Sequence, residues 1–219
     1  MKVVITAATK LELNGITQRT SKDGIERRDV EVSFHVSGIG ILHSCYSITR
    51  VLLEQKPDLI IQTGIAGCFD MQIPLGKLVT VEDEVVGDMG AEEDGNLQDL
   101  FDMKFHHKDA APYSKGKLTN PWLRRYNLLH LDEVSGLTVN EISTRKERIN
   151  HLVQKYNPVI ESMEGAALHY TCLQTQVPFI QLRAVSNYIG ERDKRKWKLV
   201  EALNNLSEAT TQYLRLLDH

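Results

Sequence analysis

The chain alternates short apolar runs with segments in which apolar residues recur at helical spacing. Residues 2–7 form an apolar run typical of a buried strand, and Thr9 with Glu12 three positions later predicts the capping box of a first helix. Residues 30–36 predict a second strand, and the apolar positions after it share one helical face: Ile41, Cys45, Ile48 and Leu52. This part of the chain therefore predicts two units of strand followed by helix.

The same alternation continues to the C-terminus. Further strands are predicted at residues 58–62, 77–86, 134–139, 158–160 and 178–185, and helices at 163–173 and 199–217. The pair Thr144 and Glu147 predicts a second capping box, and the acidic stretch 78–103, which has no basic residue, predicts a loop-rich excursion. Strands alternating with helices predict an α/β fold with a mostly parallel sheet, and without a linker or repeat we expect one domain over residues 1–219.

The composition limits the cellular compartments and the kinds of binding partner that we expect for the protein. The 219 residues are 42% hydrophobic, enough for a sizeable core, and a net charge of −3 argues against a general nucleic-acid binder. Three cysteines fit a reduced interior better than a disulfide framework. The N-terminal residues lack a signal-peptide pattern, and no apolar run approaches the roughly 20 residues of a membrane span. We expect a cytoplasmic protein without a membrane partner.

Small residues follow three of the predicted strands. The segment 37–40 reads Ser-Gly-Ile-Gly, 63–67 reads Thr-Gly-Ile-Ala-Gly, and 186–187 reads Ser-Asn. Glycine lets a ligand approach the main chain, and the N-terminus of a following helix favours an anionic or hydroxyl-rich group. Neither glycine segment matches the dinucleotide fingerprint or the phosphate loop with its lysine, so plain tight turns explain them equally well.

Two glutamates lie near the ends of predicted strands. Met163 and Glu164 fall where a strand gives way to a helix, at the ligand edge of an α/β sheet, where a carboxylate can accept hydrogen bonds from a sugar diol. Acids in a first turn also stabilise the helix dipole, and Glu12 completes a capping box with Thr9. Each glutamate taken alone is explained by helix stability as well as by ligand binding.

The other polar clusters do not predict a metal site. His106 and His107 are adjacent in an extended segment, where their side chains point opposite ways, and no carboxylate or cysteine spacing supports them. The acidic stretch lacks the calcium-loop pattern. We therefore expect no metal and no cofactor.

Five motifs, in order, resemble those of the methylthioadenosine/S-adenosylhomocysteine nucleosidases and their purine nucleoside phosphorylase-like relatives. They are Glu12, the segments 37–40 and 63–67, the run Ser162-Met163-Glu164-Gly165-Ala166, and the run Arg183-Ala184-Val185-Ser186-Asn187. The resemblance spans nearly the whole chain and favours ligand binding for both glutamates. It implies a three-layer α/β/α sandwich with a central twisted mixed sheet, an N-glycosyl hydrolase, and a homodimer or higher homo-oligomer.

The resemblance also implies roles for individual residues. Glu12 corresponds to the glutamate that activates the attacking water, and Met163 with Glu164 to the residues that hold the ribose. The implied base site comprises the main chain at Val139 together with Ser186 and Asn187. The substrate is further expected to meet Gly40, Ile65, Ala66 and Gly67.

Asn187 departs from the family pattern, in which an acidic residue follows the serine and assists the departure of adenine. The amide NH2 of asparagine can donate to an exocyclic carbonyl while its oxygen accepts from a protonated ring nitrogen, which matches hypoxanthine or guanine. Adenine would set its amino group against that NH2, at a cost of about 1–3 kcal/mol for an unsatisfied buried group. We therefore expect Asn187 to assist hydrolysis of a 6-oxopurine nucleoside.

Among relatives that act on 6-oxopurine nucleosides, residues 186–193 followed by Trp197 are most similar to the futalosine hydrolases. This resemblance implies the conversion of futalosine to hypoxanthine and dehypoxanthine futalosine in menaquinone biosynthesis. Futalosine carries a benzoate, and Arg192 offers it a cation. The basic run 194–196 also offers charge, although a solvated helix start explains that run better.

Three alternatives stay open. A purine nucleoside phosphorylase needs arginines beside the glycine segments to bind phosphate. We find none there, because Arg50 lies ten residues beyond Gly40. A methylthioadenosine/S-adenosylhomocysteine nucleosidase would act on adenine nucleosides. In a catalytically silent nucleoside-binding protein, the glycine segments, Met163 and Glu164 would suffice to bind the ligand, and Glu12 would not be needed.

Overall fold

A computed structural model of the chain describes residues 1–22, 30–93 and 96–217. The strands are β1 Lys2–Ala7, β2 Glu31–Val36, β3 Leu59–Cys68, β4 Leu78–Val86, β5 Gly90–Glu93, β6 Asn96–Asp99, β7 Leu118–Thr119, β8 Asp132–Thr138, β9 Ile160–Ser162 and β10 Phe179–Tyr188. The helices are α1 Lys10–Lys22, α2 Ile41–Gln55, α3 Leu123–Tyr126, α4 Lys146–Tyr156, α5 Gly165–Thr175 and α6 Leu199–Leu217, with a 3-10 turn at Lys194–Lys196. The predicted α/β class is confirmed.

Most strands belong to one mixed sheet. β1 pairs in parallel with β2 on one side and with β3 on the other. β3 also pairs with β10 in parallel and with β9 antiparallel. Because β10, β4, β8 and β9 pair in succession, these four strands and β3 form a closed ring of pairings. β7 adds to β4, and β5 with β6 forms a separate hairpin.

Helices cover both faces of the sheet because side chains alternate along each strand. Val3 and Ile5 of β1 belong to a core that includes residues of α1 and α6, whereas Val4 packs with residues of α2 and α5. The three-layer α/β/α arrangement is thus confirmed. Of the helices in the described part of the chain, none is both long and apolar enough to cross a membrane.

Two segments that the sequence predicts as tight loops lie within strands. Residues 63–67 belong to β3 and residues 186–187 to β10, and Asn187 is paired with Gly67. The ladder between β3 and β10 satisfies the main chain there, which outweighs the weak strand preference of glycine. A register shift between Val185 and Asn187 marks an irregularity of β10 at this point.

Two further predictions are corrected by the structure. Helix α4 has Arg145 as its N-cap and no side-chain cap hydrogen bond, so Glu147 falls at the second helical position and not at the third, where a capping box with Thr144 needs it. In the acidic stretch, β4 matches the strand predicted at residues 77–86, whereas the hairpin of β5 and β6 lies where a loop-rich excursion was predicted. Residues 94–95 of that stretch lie outside the described residues.

Candidate active site

A cavity of about 240 Å³ opens where β3, β9 and β10 approach the start of α1 and the loop before α2. Nine of the eleven predicted site residues line it: Glu12, Ile65, Ala66, Gly67, Met163, Glu164, Ser186, Asn187 and Arg192. Six more residues complete the wall: Ile39, Ile142, Glu161, Ser162, Ile189 and Trp197. The fold therefore brings motifs from distant parts of the chain to one place.

Glu12 is buried at the first turn of α1 and is held by both carboxylate oxygens. Oε2 accepts hydrogen bonds from the main-chain N–H of Thr9 at 3.0 Å and from its hydroxyl at 2.8 Å, and Oε1 accepts from the N–H of Ile65 at 3.2 Å. The carboxylate is thereby fixed in orientation at the cavity wall. Its remaining lone pairs are available to a water molecule.

Glu164 lies at the junction between β9 and α5 and contacts the glycine segment before α2. Its Oε1 accepts a hydrogen bond of 2.9 Å from the N–H of Gly40. Gly40 has a φ of 87°, a conformation that glycine adopts without strain, so this N–H is turned toward the carboxylate. Burial raises the pKa of Glu164, which the nearby charge of Arg183 and the Gly40 N–H oppose.

Arg183, to which the motifs assign no role, is a buried cation behind the cavity wall. It is 2% exposed, and its guanidinium donates to Gln62 Oε1 at 2.8 Å and to the carbonyl of Ile65 at 3.4 Å. A Cβ added at Gly64 would collide with Arg183 Nη1 and lie 3.0 Å from Glu12 Oε1, so both charged groups converge on that bare glycine. The positive charge of the buried Arg183 favours the ionised form of Glu164, against the effect of burial.

Asn187 is oriented by its neighbours in β10. Its Oδ1 accepts a hydrogen bond of 2.9 Å from the hydroxyl of Ser186, and its Nδ2 donates to the carbonyl of Tyr188 at 3.1 Å. The amide therefore has its oxygen on one side and its NH2 on the other, with one lone pair and one proton left over. At the cavity wall these two remaining positions can bind one acceptor and one donor of a ligand.

The two other predicted residues do not line the cavity. Gly40 contributes through its N–H to Glu164, as described above. Val139 is fully buried in a core cluster with Val85, Leu137 and Leu152. Its N–H donates to the carbonyl of Ser162, so that main-chain donor is already used.

The segment after Asn187 forms one end of the cavity. Ile189 lies against the bare face of Gly67, and the guanidinium of Arg192 lies 5.8 Å from the ring centre of Trp197. Arg195 and Lys196 on the same segment are paired with Asp193 and Glu191. Among the described residues no carboxylate is paired with Arg192, which leaves its charge available to a ligand.

A buried polar network supports the site from behind. Glu84 is fully buried, and its carboxylate accepts from Thr138 Oγ1 at 2.8 Å and from Gln181 Nε2 at 2.9 Å. Thr138 in turn accepts from the N–H of Ala166 at 2.7 Å, near the start of α5. A Cβ at Gly165 would collide with the Glu84 carboxylate, so this glycine permits the network. The network fixes the helix end next to Glu164.

Comparisons with known proteins identify the family of the chain. The model of the Phosphorylase superfamily matches residues 25–219. Futalosine hydrolase of Thermus thermophilus is 30% identical over 186 residues, which cover 81% of this chain and 79% of the relative. The 5'-methylthioadenosine/S-adenosylhomocysteine nucleosidase of Staphylococcus haemolyticus is also 30% identical over 186 residues, covering 79% of this chain and 81% of that protein.

The fold is also found among solved structures. The crystal structure of 5'-methylthioadenosine/S-adenosylhomocysteine nucleosidase from Helicobacter pylori with butyl-thio-DADMe-Immucillin-A superposes with a TM-score of 0.77. The superposition covers 99% of this chain and 98% of that one at 19% identity, a level at which the likeness concerns the fold alone. Because the two curated relatives above are equally identical to the chain but differ in their named substrates, identity does not select the substrate.

Proposed function

The chain belongs to the phosphorylase superfamily, and from this membership we propose that it hydrolyses the N-glycosidic bond of a 6-oxopurine nucleoside, with futalosine as the substrate. Relatives named as hydrolases and nucleosidases support the reaction type. The choice of base rests on the side chain at position 187, and the choice of futalosine on the free cation at position 192.

The proposed reaction uses water as the nucleophile. Glu12 accepts a proton from the water molecule while the oxygen of that water forms a bond to the anomeric carbon. At the same time the bond between the anomeric carbon and the purine nitrogen breaks. Positive charge builds on the ribose and negative charge on the purine in the transition state. Glu164 holds the ribose hydroxyls. A proton from solvent completes hypoxanthine, and Glu12 returns the proton that it accepted to solvent. The products are free base and a ribose with a hydroxyl at the anomeric carbon.

The observation that carries this proposal is the orientation of the Asn187 amide. Because Ser186 and Tyr188 bind its oxygen and its nitrogen, the amide is held against rotation and offers one acceptor site and one donor site. A 6-oxopurine with a protonated imidazole nitrogen offers the matching donor and acceptor, since its exocyclic group is a carbonyl. Adenine offers an amino group instead and would leave a buried donor unsatisfied.

Arg192 supports futalosine within this class. Its guanidinium rests on Trp197 and is free of a carboxylate partner among the described residues, so it is the cation that we assign to the benzoate. The futalosine hydrolase of Thermus thermophilus shows that relatives of the chain include an enzyme named for this substrate, but its identity to the chain does not by itself select futalosine. The proposed place in metabolism is menaquinone biosynthesis.

The alternatives are less well supported by the geometry. A phosphorylase needs cations at the cavity wall near the ribose, and among the described residues that line the cavity Arg192 alone is basic. An adenine-specific nucleosidase is disfavoured by the Asn187 amide. In a silent binding protein, helix capping explains the two hydrogen bonds from Thr9 to Glu12 but gives no reason for the third, from the N–H of Ile65.

One assay separates these proposals. Purified protein is incubated with futalosine, inosine and methylthioadenosine, with and without phosphate, and the free base is quantified. We expect hypoxanthine release from futalosine that does not depend on phosphate. Release only with phosphate would support the phosphorylase, faster release of adenine would support the adenine-specific nucleosidase, and binding without release would support the silent binder.

We further propose that the protein acts in the cytoplasm as a homodimer. The exposed apolar side chains of α2 support an interface there, because Leu42 is 79% and Tyr46 68% exposed. Light scattering with size-exclusion chromatography should give about twice the chain mass of 24.8 kDa. A monomer at working concentrations would contradict this.

A further inference from the structure

The loop between β8 and α4 brings an apolar side chain to the cavity. Residues 139–145 read Val-Asn-Glu-Ile-Ser-Thr-Arg, and Ile142 of this loop lines the cavity while 43% of it is exposed. Exposed isoleucines are common on protein surfaces, so exposure by itself assigns no role. Ile142 differs from an ordinary surface residue in how firmly its loop is held.

Asp88 holds the first half of this loop. Because β4 and β8 are parallel neighbours, Asp88, two residues after β4, lies at the same edge of the sheet as the loop. Its Oδ2 accepts hydrogen bonds from the N–H of Asn140 at 2.6 Å and from the N–H of Glu141 at 3.2 Å, and its Oδ1 accepts from Asn140 Nδ2 at 3.3 Å. Hydrogen bonds to a carboxylate are roughly twice as strong as neutral ones, so three of them fix the main chain just before Ile142.

A second carboxylate holds the other half of the loop. Oε1 of the buried Glu161 accepts a hydrogen bond of 3.1 Å from the N–H of Ser143. Burial raises the pKa of Glu161, while the bond from Ser143 and the charge of Arg148 oppose that rise. Nη2 of Arg148 also lies 3.9 Å from Asp88 Oδ2, so one cation serves both carboxylates. The main chain is therefore anchored on both sides of the isoleucine.

The anchors set the loop beside the end of the cavity where Asn187 lies. Glu161 is paired with Gly67, and Gly67 is paired with Asn187, so the three residues form one row across neighbouring strands. Ile189 lies over Gly67 in that row, and both Ile189 and Ile142 line the cavity. Apolar walls with a few polar groups are typical of small-molecule sites, and they suit the faces of a purine whose edge binds an amide.

We propose that Ile142 packs on the purine and that Asp88 is the positioning residue that holds Ile142 there. This inference rests on the proposed function, because the purine is the base that Asn187 binds. Asp88 itself does not line the cavity. By fixing the loop before the substrate arrives, it lowers the cost of ordering the isoleucine on binding. Packing on the base is similar before and during bond cleavage, so its loss should raise KM and leave kcat nearly unchanged.

A double-mutant cycle on futalosine tests this link. We expect Ile142→Ala to raise KM about five- to tenfold with kcat within about twofold of wild type. Asp88→Ala should raise KM by at least about threefold, again with little change in kcat. The double variant should have the KM of Ile142→Ala, because Asp88 then has no isoleucine to position. A residue that only stabilised the fold would change the melting temperature without this coupling.

The matched control is Asp99→Ala. Oδ1 of Asp99 also accepts from two main-chain N–H groups, those of Phe101 and Asp102, in a loop outside the cavity wall, so this variant should keep the wild-type KM. Circular dichroism at the assay temperature checks the fold of each variant, and Asp88→Asn, which keeps one acceptor oxygen, replaces Asp88→Ala in the cycle if that variant does not fold.

Calorimetry with hypoxanthine gives the same cycle without turnover, since the free base should bind more weakly to each variant by the same factors. Additive effects of the two substitutions, or wild-type affinity in Ile142→Ala, would overturn the inference. A wild-type chain that binds hypoxanthine but releases none from futalosine would instead contradict the proposed function.

Discussion

The hydroxyl of Thr9 donates a hydrogen bond of 2.8 Å to Oε2 of Glu12, while Oε1 of the same carboxylate accepts from the N–H of Ile65 across the cavity wall. Glu12 is therefore a capping residue and a cavity residue at once. The sequence presents these as competing explanations, but the two oxygens serve different partners. Capping fixes the rotamer of the glutamate, and a general base gains from being fixed in place.

Glu12→Gln tests the role of the carboxylate as a base. Glutamine keeps the shape and one acceptor oxygen but cannot take a proton from water, so we expect a loss of at least about a hundredfold in kcat on futalosine. The fold should survive, as judged by circular dichroism and thermal melting. Turnover at the wild-type rate would mean that Glu12 is only a cap.

Thr9→Ala is the matched control for that variant. It removes the hydroxyl that contacts Glu12 but leaves the carboxylate in the cavity. We expect a loss of about 1 kcal/mol in the free energy of unfolding, typical of a lost N-cap, and a smaller fall in kcat than in Glu12→Gln. Urea denaturation and steady-state kinetics measure the two effects. A larger loss of kcat in Thr9→Ala would contradict the assignment.

Asn187→Asp tests the recognition of the base. An aspartate can accept from the amino group of adenine but cannot donate to a carbonyl, so the ratio of kcat/KM for adenine over hypoxanthine nucleosides should rise by about ten- to a hundredfold. The ratio is the informative quantity, because the carbonyl of Tyr188 loses its donor and absolute rates should fall as well. An unchanged ratio would remove the argument for a 6-oxopurine.

Arg192→Ala tests the contact with the benzoate. Futalosine should lose about tenfold in kcat/KM, whereas inosine, which lacks the carboxylate, should be cleaved as before. Arg195→Ala is the control, because Arg195 is 91% exposed in its side chain and paired with Asp193, and exposed pairs contribute little. Equal losses on futalosine and inosine would show that Arg192 acts on the base or ribose.

The sequence predicts the layers better than it predicts the site. Apolar runs place β1 and α6 because burial follows directly from hydrophobic spacing. Residues 63–67 of β3 look like a loop because their strand pairing comes from β10, more than a hundred residues later. The amino-acid composition of residues 63–67 carries no information about a strand partner that is so distant along the chain.

Arg183 shows the same limit for the candidate site. An arginine in the apolar run of β10 is a visible anomaly, since arginine is almost never fully buried without a partner. Its partners, however, lie on β3 and cannot be located from spacing.

Glu84 and His169 should make opposite contributions to the pH dependence of stability. Burial raises the pKa of Glu84 from 4.5 to about 7 and lowers that of His169 from 6.5 to about 4. The stability from Glu84 is complete below pH 4.5 and is lost as the pH rises toward 7, because the folded chain keeps a proton that the unfolded chain releases. The stability from His169 is complete above pH 6.5 and is lost as the pH falls toward 4. Between pH 4.5 and 6.5 the two effects cancel.

Removing one residue of this pair should expose the effect of the other. Relative to wild type, the free energy of unfolding of Glu84→Gln should rise with pH between 4.5 and 6.5 by about 1.4 kcal/mol per pH unit at most, and that of His169→Asn should fall by a similar amount. Urea denaturation at three pH values measures both slopes. Taking differences from wild type removes the contributions of groups that titrate alike in all three proteins. Parallel curves would show that neither side chain changes its protonation on folding.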